Sequence, residues 1–97
     1  YRLRELLSGA ELQAEGQRLR HCVGSYTSSC VSGRSTIWSM TVDDGEVVTP
    51  LLTIELRMVD LRIRQARGLF NRRPDRTEKD ILERWAASAG LFVESYL

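Results

Sequence analysis

The chain has 97 residues, 42% of them hydrophobic and 28% charged, with a formal net charge of +1. That is enough length for one small domain and enough apolar content for a core, and the charge is too balanced for a disordered segment. No apolar run approaches the roughly 20 residues a membrane helix needs, no signal peptide is visible, and two cysteines are too few for a disulfide scaffold.

The first helix opens at "LLSGAEL". Ser8 is a good N-cap and Glu11 follows three residues on, a capping box with Leu7 and Leu12 at the staple positions. The helix is expected from Gly9 onward, with an apolar stripe of Leu12, Gly16, Leu19, Val23 and Tyr26. Gly24-Ser25 breaks or kinks it, and Ser25 caps a second, short helix, "YTSSCVS", closed by Gly33.

The period then changes from helical to alternating. Trp38, Met40 and Val42 alternate with Ile37, Ser39 and Thr41 in a strand that ends at the "DDGE" hairpin turn, where Asp-Gly favours type I′. Pro50 makes the next pairing start late or bulge. Leu52, Ile54 and Leu56 then alternate with Thr53, Glu55 and Arg57, and Leu61, Ile63 and Gln65 with Arg62 and Arg64. After the loop "LFNRRPD", Asp75 or Thr77 caps a last helix whose stripe is Ile81, Trp85, Ala89 and Phe92. Gly90 ends it, and "LFVESYL" is a tail, a strand or a further helical turn. The fold class is α+β: N-terminal helices, a three-stranded antiparallel meander, and a C-terminal helix, with the helices on one sheet face.

Of the 14 basic residues, 13 are arginine. A GC-rich genome accounts for that without any function; phosphate recognition accounts for it through the guanidinium fork. Seven arginines against two aspartates give the stretch from Arg57 to Arg76 a charge of +5, leaving −4 for the rest of a chain that totals +1. Such asymmetry suits an anionic partner.

His21 is an acid or base near neutrality, or a structural group capping carbonyls at a helix end. Cys22 beside it has the composition of a nucleophile and its base, but adjacent helical residues point about 100° apart, so a buried small hydrophobe is the plainer role. His21, Cys22 and Cys30 supply three of the four ligands that structural zinc needs and have no CxxC spacing, so neither metal nor cofactor is expected. A Cys22–Cys30 bridge stays open. Glu55 stands opposite Leu52, Ile54 and Leu56, with Arg62 and Arg64 expected on its face of the next strand. That face is either solvated with cross-strand ion pairs or a shallow polar site. Gln65 falls on the inward face, where its amide must pin the loop from Gly68 to Asn71 or bond a ligand or His21. Gly68 is expected to supply an unusual backbone angle.

Taken in order, "ELQAEGQRLRHCVGSY", "SGRSTIWSM", "LTIELR" and "IRQARGLFNRRP", followed by a tryptophan-bearing helix, resemble the PcfJ-like proteins of conjugative plasmids, phages and related mobile elements. The resemblance covers roughly residues 8 to 90. It implies a domain of conjugation or genome conflict and marks His21, Cys22, Tyr26, Glu55, Gln65, Gly68 and Asn71 as the positions that recur.

Nucleic-acid processing is therefore the leading expectation, with RNA or single-stranded DNA as partner and metal-independent RNA cleavage as the chemistry. His21 and Glu55 would be acid and base, with Tyr26, Arg62 and Arg64 contacting phosphate or base, and Gln65, Asn71 and Cys22 lining the site. A non-catalytic module that binds nucleic acid or protein is the rival, and a nucleotide-dependent transferase ranks last because no phosphate-cradling glycine loop is present. Residue 1 is Tyr, so residues 1–97 are expected to be a single domain cut from a longer, cytoplasmic protein that does not engage a membrane.

Overall fold

A computed structural model describes residues 1–19 and 34–94. The elements run β1 (Arg2–Leu6), α1 (Gly9–Leu19), β2 (Ser35–Asp43), β3 (Val48–Arg57), β4 (Arg62–Arg67), a 3₁₀ turn (Leu69–Asn71), α2 (Arg76–Ala89) and β5 (Phe92–Val93). The short helix expected at "YTSSCVS" lies outside the described residues.

The class is α+β, but the sheet is larger than the expected meander. Among the described residues it has five strands in the order β1-β2-β3-β4-β5. The first four pair antiparallel, and β5 runs parallel to β4 at Arg62 and Ile63. Strand β1 was not anticipated. It is only five residues long, and its two leucines serve opposite faces: Leu3 packs with the Met40 cluster, Leu6 with Leu12 and Ile37. Two leucines three residues apart, with exposed Arg2 and Arg4 beside them, leave no alternating pattern to read.

The two described helices take opposite faces, which corrects the one-sided packing expected from the sequence. On one face α2 sets Leu82 and Ala86 against Met40, Leu52, Ile54, Leu56, Ile63 and Ala66. Trp85 joins Trp38 there, ring centroids 5.1 Å apart and planes tilted by 55°. Leu82 is fully buried, so truncation to alanine should cost about 2–5 kcal/mol. The buried stripe of α2 is Glu78, Leu82 and Ala86, flanked by half-buried Ile81 and Trp85; Ala89 and Phe92, expected in the stripe, are exposed. On the other face α1 sets Leu12 against Leu6 and Ile37.

Local chemistry explains the helix ends. Ser8 Oγ accepts from the Glu11 amide at 3.1 Å, while the Glu11 carboxylate reaches back to the Leu7 amide at 3.3 Å. The staple is made by Leu6, because Leu7 is 77% exposed. Asp75, not Thr77, caps α2: its carboxylate accepts from the Glu78 amide at 2.8 Å, and Glu78 returns the bond to the Asp75 amide at 3.0 Å. Gly90 closes that helix in the left-handed region with φ 73°.

The β2–β3 hairpin forms as expected, with a longer loop than a two-residue type I′ turn. Asp43 pairs with Val48, and Asp44 Oδ1 accepts from the amides of Glu46 and Val47 at 2.9 and 2.8 Å. The expected irregularity at Pro50 is a bulge: Met40 faces Leu52 and Thr41 faces Pro50, which leaves Leu51 over. Leu61, expected in β4, sits in the preceding turn with φ 53°.

Candidate functional site

The face under α1 is polar along β3 and β4, and one register shift decides which residues of β4 belong to it. Glu55 pairs with Gln65, yet the next residue, Leu56, pairs with Ile63. Arg64 is therefore an extra residue in β4, a bulge. Strict alternation would put Gln65 beside Ile63, in the core against α2. The bulge resets the phase, so Ala66 takes the buried place opposite Ile54, and Gln65 and Arg67 come round to face Glu55 and Thr53. The inward reading of Gln65 is corrected: Glu55 and Gln65 share one face.

Glu55 is half-buried and accepts a hydrogen bond from Ser35 Oγ, donated to its Oε2 at 3.0 Å. Together with Arg64, Gln65 and Arg67 it lines a cleft of about 260 Å³. Next along the strand, buried Thr53 lies across from Ser39 on one side and Arg67 on the other. Its hydroxyl donates to Glu15 Oε2, from α1, at 2.9 Å. Glu15 and Arg67 are polar members of this face that the alternation does not point to, whereas Thr53 falls on the side of Glu55 as the alternation predicts. Glu15 carries a signal: it is a charged residue between Leu12 and Leu19 at helical spacing, beside the Gly16 expected in the stripe.

Three other arginines of the basic segment, Arg57, Arg62 and Arg72, are engaged elsewhere. Arg57 donates to Asp60 through Nε at 3.0 Å and Nη2 at 2.5 Å, and holds that carboxyl below its usual 3.8. Arg62 lies 3.5 Å from Asp60 and 3.7 Å from Glu94, with its guanidinium 5.8 Å from the centre of the Phe92 ring. It stands at the start of β4, between β3 and β5, and does not line the cleft. Arg72 makes a two-pronged bond to buried Glu78 at 2.7 and 2.8 Å, which pushes the arginine's own pKa upward. Among the described residues, neither Arg64 nor Arg67 pairs with a carboxylate; Arg67 Nη1 donates to the Ala66 carbonyl at 2.9 Å.

Gly68 has φ −104°, an ordinary value, so the expected unusual angle is corrected as well. The demand there is for space: an added Cβ would lie 2.7 Å from the Leu51 carbonyl oxygen. The left-handed residue in this stretch is Phe70, φ 55°. Asn71 closes the 3₁₀ turn, which contacts α1. The side-chain role expected of Asn71, and the roles of His21, Cys22 and Tyr26, lie outside the described residues. Among the described residues, no group of three or more His, Cys, Asp or Glu side chains is placed to hold a metal ion. No described helix is long and apolar enough to cross a membrane.

The sequence model for the PcfJ-like protein family matches residues 1–82, a span that takes in β1 through β4, the whole polar face and α2 as far as Leu82. The chain belongs to the PcfJ-like family. No curated protein and no solved structure matches it. In this PcfJ-like domain, then, Glu55, Gln65 and their neighbours sit within the family's own span, while β5 lies beyond it.

Proposed function

We propose that this PcfJ-like domain binds RNA or single-stranded DNA across the Glu55 face and cleaves RNA without a metal, as part of a larger cytoplasmic protein of conjugative plasmids, phages or related mobile elements. The observation that carries the reading is the bulge at Arg64. It gathers one carboxylate, one amide and two guanidinium groups around a single cleft. A carboxylate beside cations serves phosphodiester cleavage by internal attack, the one as base and the others as partners for the phosphoryl charge. Glu55 takes the 2′-hydroxyl proton, the 2′-oxygen bonds to phosphorus, and Arg64 and Arg67 neutralise the charge on the phosphoryl oxygens. The P–O5′ bond then breaks, and His21 gives its proton to the departing oxygen. The products are a 2′,3′-cyclic phosphate and a 5′-hydroxyl. Tyr26, Cys22, Gln65 and Asn71 contact base or sugar, and Arg62 meets the chain further along the sheet.

One observation favours the rival, a module that binds without cutting: the Ser35 hydroxyl already occupies Glu55 Oε2. Incubation with labelled RNA and single-stranded DNA in EDTA separates the two. Cleavage of RNA by the wild type, reduced at least about 100-fold in Glu55→Gln and His21→Ala, supports the enzyme. Salt-sensitive retention without cleavage supports the module. No retention of either nucleic acid at low salt removes both.

A further inference from the structure

We infer that Glu15 is a positioning residue of the Glu55 site, an inference that rests on the nucleic-acid reading above. Glu15 is 4% exposed and Thr53 3%, and the hydroxyl-to-carboxylate bond between them is 2.9 Å. A carboxylate is a poor choice for joining a helix to a sheet. Removing it from water is costly, and the one hydroxyl partner it has among the described residues returns little of that cost. The flanking members of the same stripe, Leu12 and Leu19, show what packing alone selects here. An apolar side chain of similar volume at position 15 would hold α1 to β3 at least as well.

The location of the bond gives the glutamate a use. Thr53 stands two residues before Glu55 on the same face of β3, one row along the strand. It is also the cross-strand partner of Arg67, which lines the cleft with Glu55 and Gln65. Glu15 therefore fixes the Thr53 hydroxyl at the inner end of the row against which Arg67 is set. The same helix contacts the Leu69–Asn71 turn that follows Arg67, so α1 touches the polar face at both Thr53 and that turn. Glu15 acts through Thr53 on the setting of Arg67 and Glu55, and makes no contact with the reacting atoms.

The test uses the full chain with Glu15→Met, Glu15→Gln and Thr53→Val, a labelled single-stranded RNA, thermal unfolding, and NMR of the Gln65 side-chain amide and Arg67 Nε–H. Glu15→Met is expected to keep or raise the unfolding midpoint while cleavage falls about 10- to 100-fold, the size that small displacements of site groups produce. Thr53→Val should match that loss in rate. Glu15→Gln, whose amide oxygen still accepts from Thr53, should recover most of it. In Glu15→Met the Gln65 and Arg67 signals should move while the backbone signals of β2 and β3 stay. Wild-type cleavage in Glu15→Met, or Gln65 and Arg67 signals that do not move, overturns the inference. So does a midpoint and rate that fall together in all three variants, since that is a packing role. If the wild type neither binds nor cuts RNA, the functional reading fails, and the NMR shifts alone decide the positioning.

Discussion

Gln65 stands directly across from Glu55 because Arg64 is an extra residue in β4. That relationship fixes which of two adjacent residues belongs to the core. Ala66 is fully buried against the α2 cluster, and Gln65 is on the other face. Ala66→Gln should therefore overpack the core and bury an amide, costing roughly 2–4 kcal/mol. Gln65→Ala should cost under about 1 kcal/mol, the usual range for a partly exposed position. Urea midpoints of the two variants check this; the reverse order would mean that β4 alternates without a bulge.

Arg64 and Arg67 should act as phosphate contacts, and Arg57 should not, since its guanidinium is held by Asp60. In a plot of log affinity for a single-stranded oligonucleotide against log salt, Arg64→Ala and Arg67→Ala should each lower the slope by about 0.7. Arg57→Ala should leave the slope unchanged. Equal effects from all three would point to diffuse attraction by the basic segment.

The loop after β4 is held by Arg72. Its guanidinium bonds both oxygens of Glu78, a residue only 3% exposed, and reaches the Leu51 carbonyl at 3.4 Å. Arg72→Met should destabilise the domain by roughly 1.5–3 kcal/mol, because a buried carboxylate loses its charged donor. Arg72→Lys should recover only part of that, since a lysine offers no fork. Chemical denaturation of the two variants measures both.

Gly68→Ala should destabilise although the backbone angle at 68 suits alanine. The added methyl meets the Leu51 carbonyl oxygen at 2.7 Å, and a backbone atom in a paired strand cannot swing away. A loss of roughly 1–3 kcal/mol is expected, read as a lower thermal midpoint. An unchanged midpoint would show that the Leu69–Asn71 turn yields freely.

Acid should weaken the fold through three surface carboxyls. A hydrogen bond from Arg57 holds Asp60 below its ordinary 3.8, one from Arg4 holds Glu11 below 4.5, and the amides of Val47 and Glu46 hold Asp44 below 3.8. Each folded value is depressed, so the unfolded chain binds more protons in the window beneath those ordinary values. The contribution is present above them and is lost as pH falls through the lowered ones. The urea midpoint should drop from pH 6 to pH 2, and less steeply in Asp60→Asn. An identical pH profile in Asp60→Asn would remove the Arg57–Asp60 pair as a cause.

Local chemistry by itself determined the parts of this protein whose cause lies within a few residues. The Ser8 and Asp75 caps, the Asp-Gly hairpin, the Gly90 stop and the alternation of Leu52, Ile54 and Leu56 around Glu55 all follow from hydrogen bonds and periods that a short window contains. Only the tertiary structure decided the rest. It set β1 against β2 across the whole of α1, placed the two helices on opposite faces, buried Glu15 against Thr53, and inserted Arg64 as a bulge. A period of two predicts that Ile63 and Gln65 share a face, and no local window contains the reason they do not. That reason is cross-strand packing: Ala66 fits beneath α2 opposite Ile54 where a glutamine does not, so the strand shifts phase and presents Gln65 to Glu55.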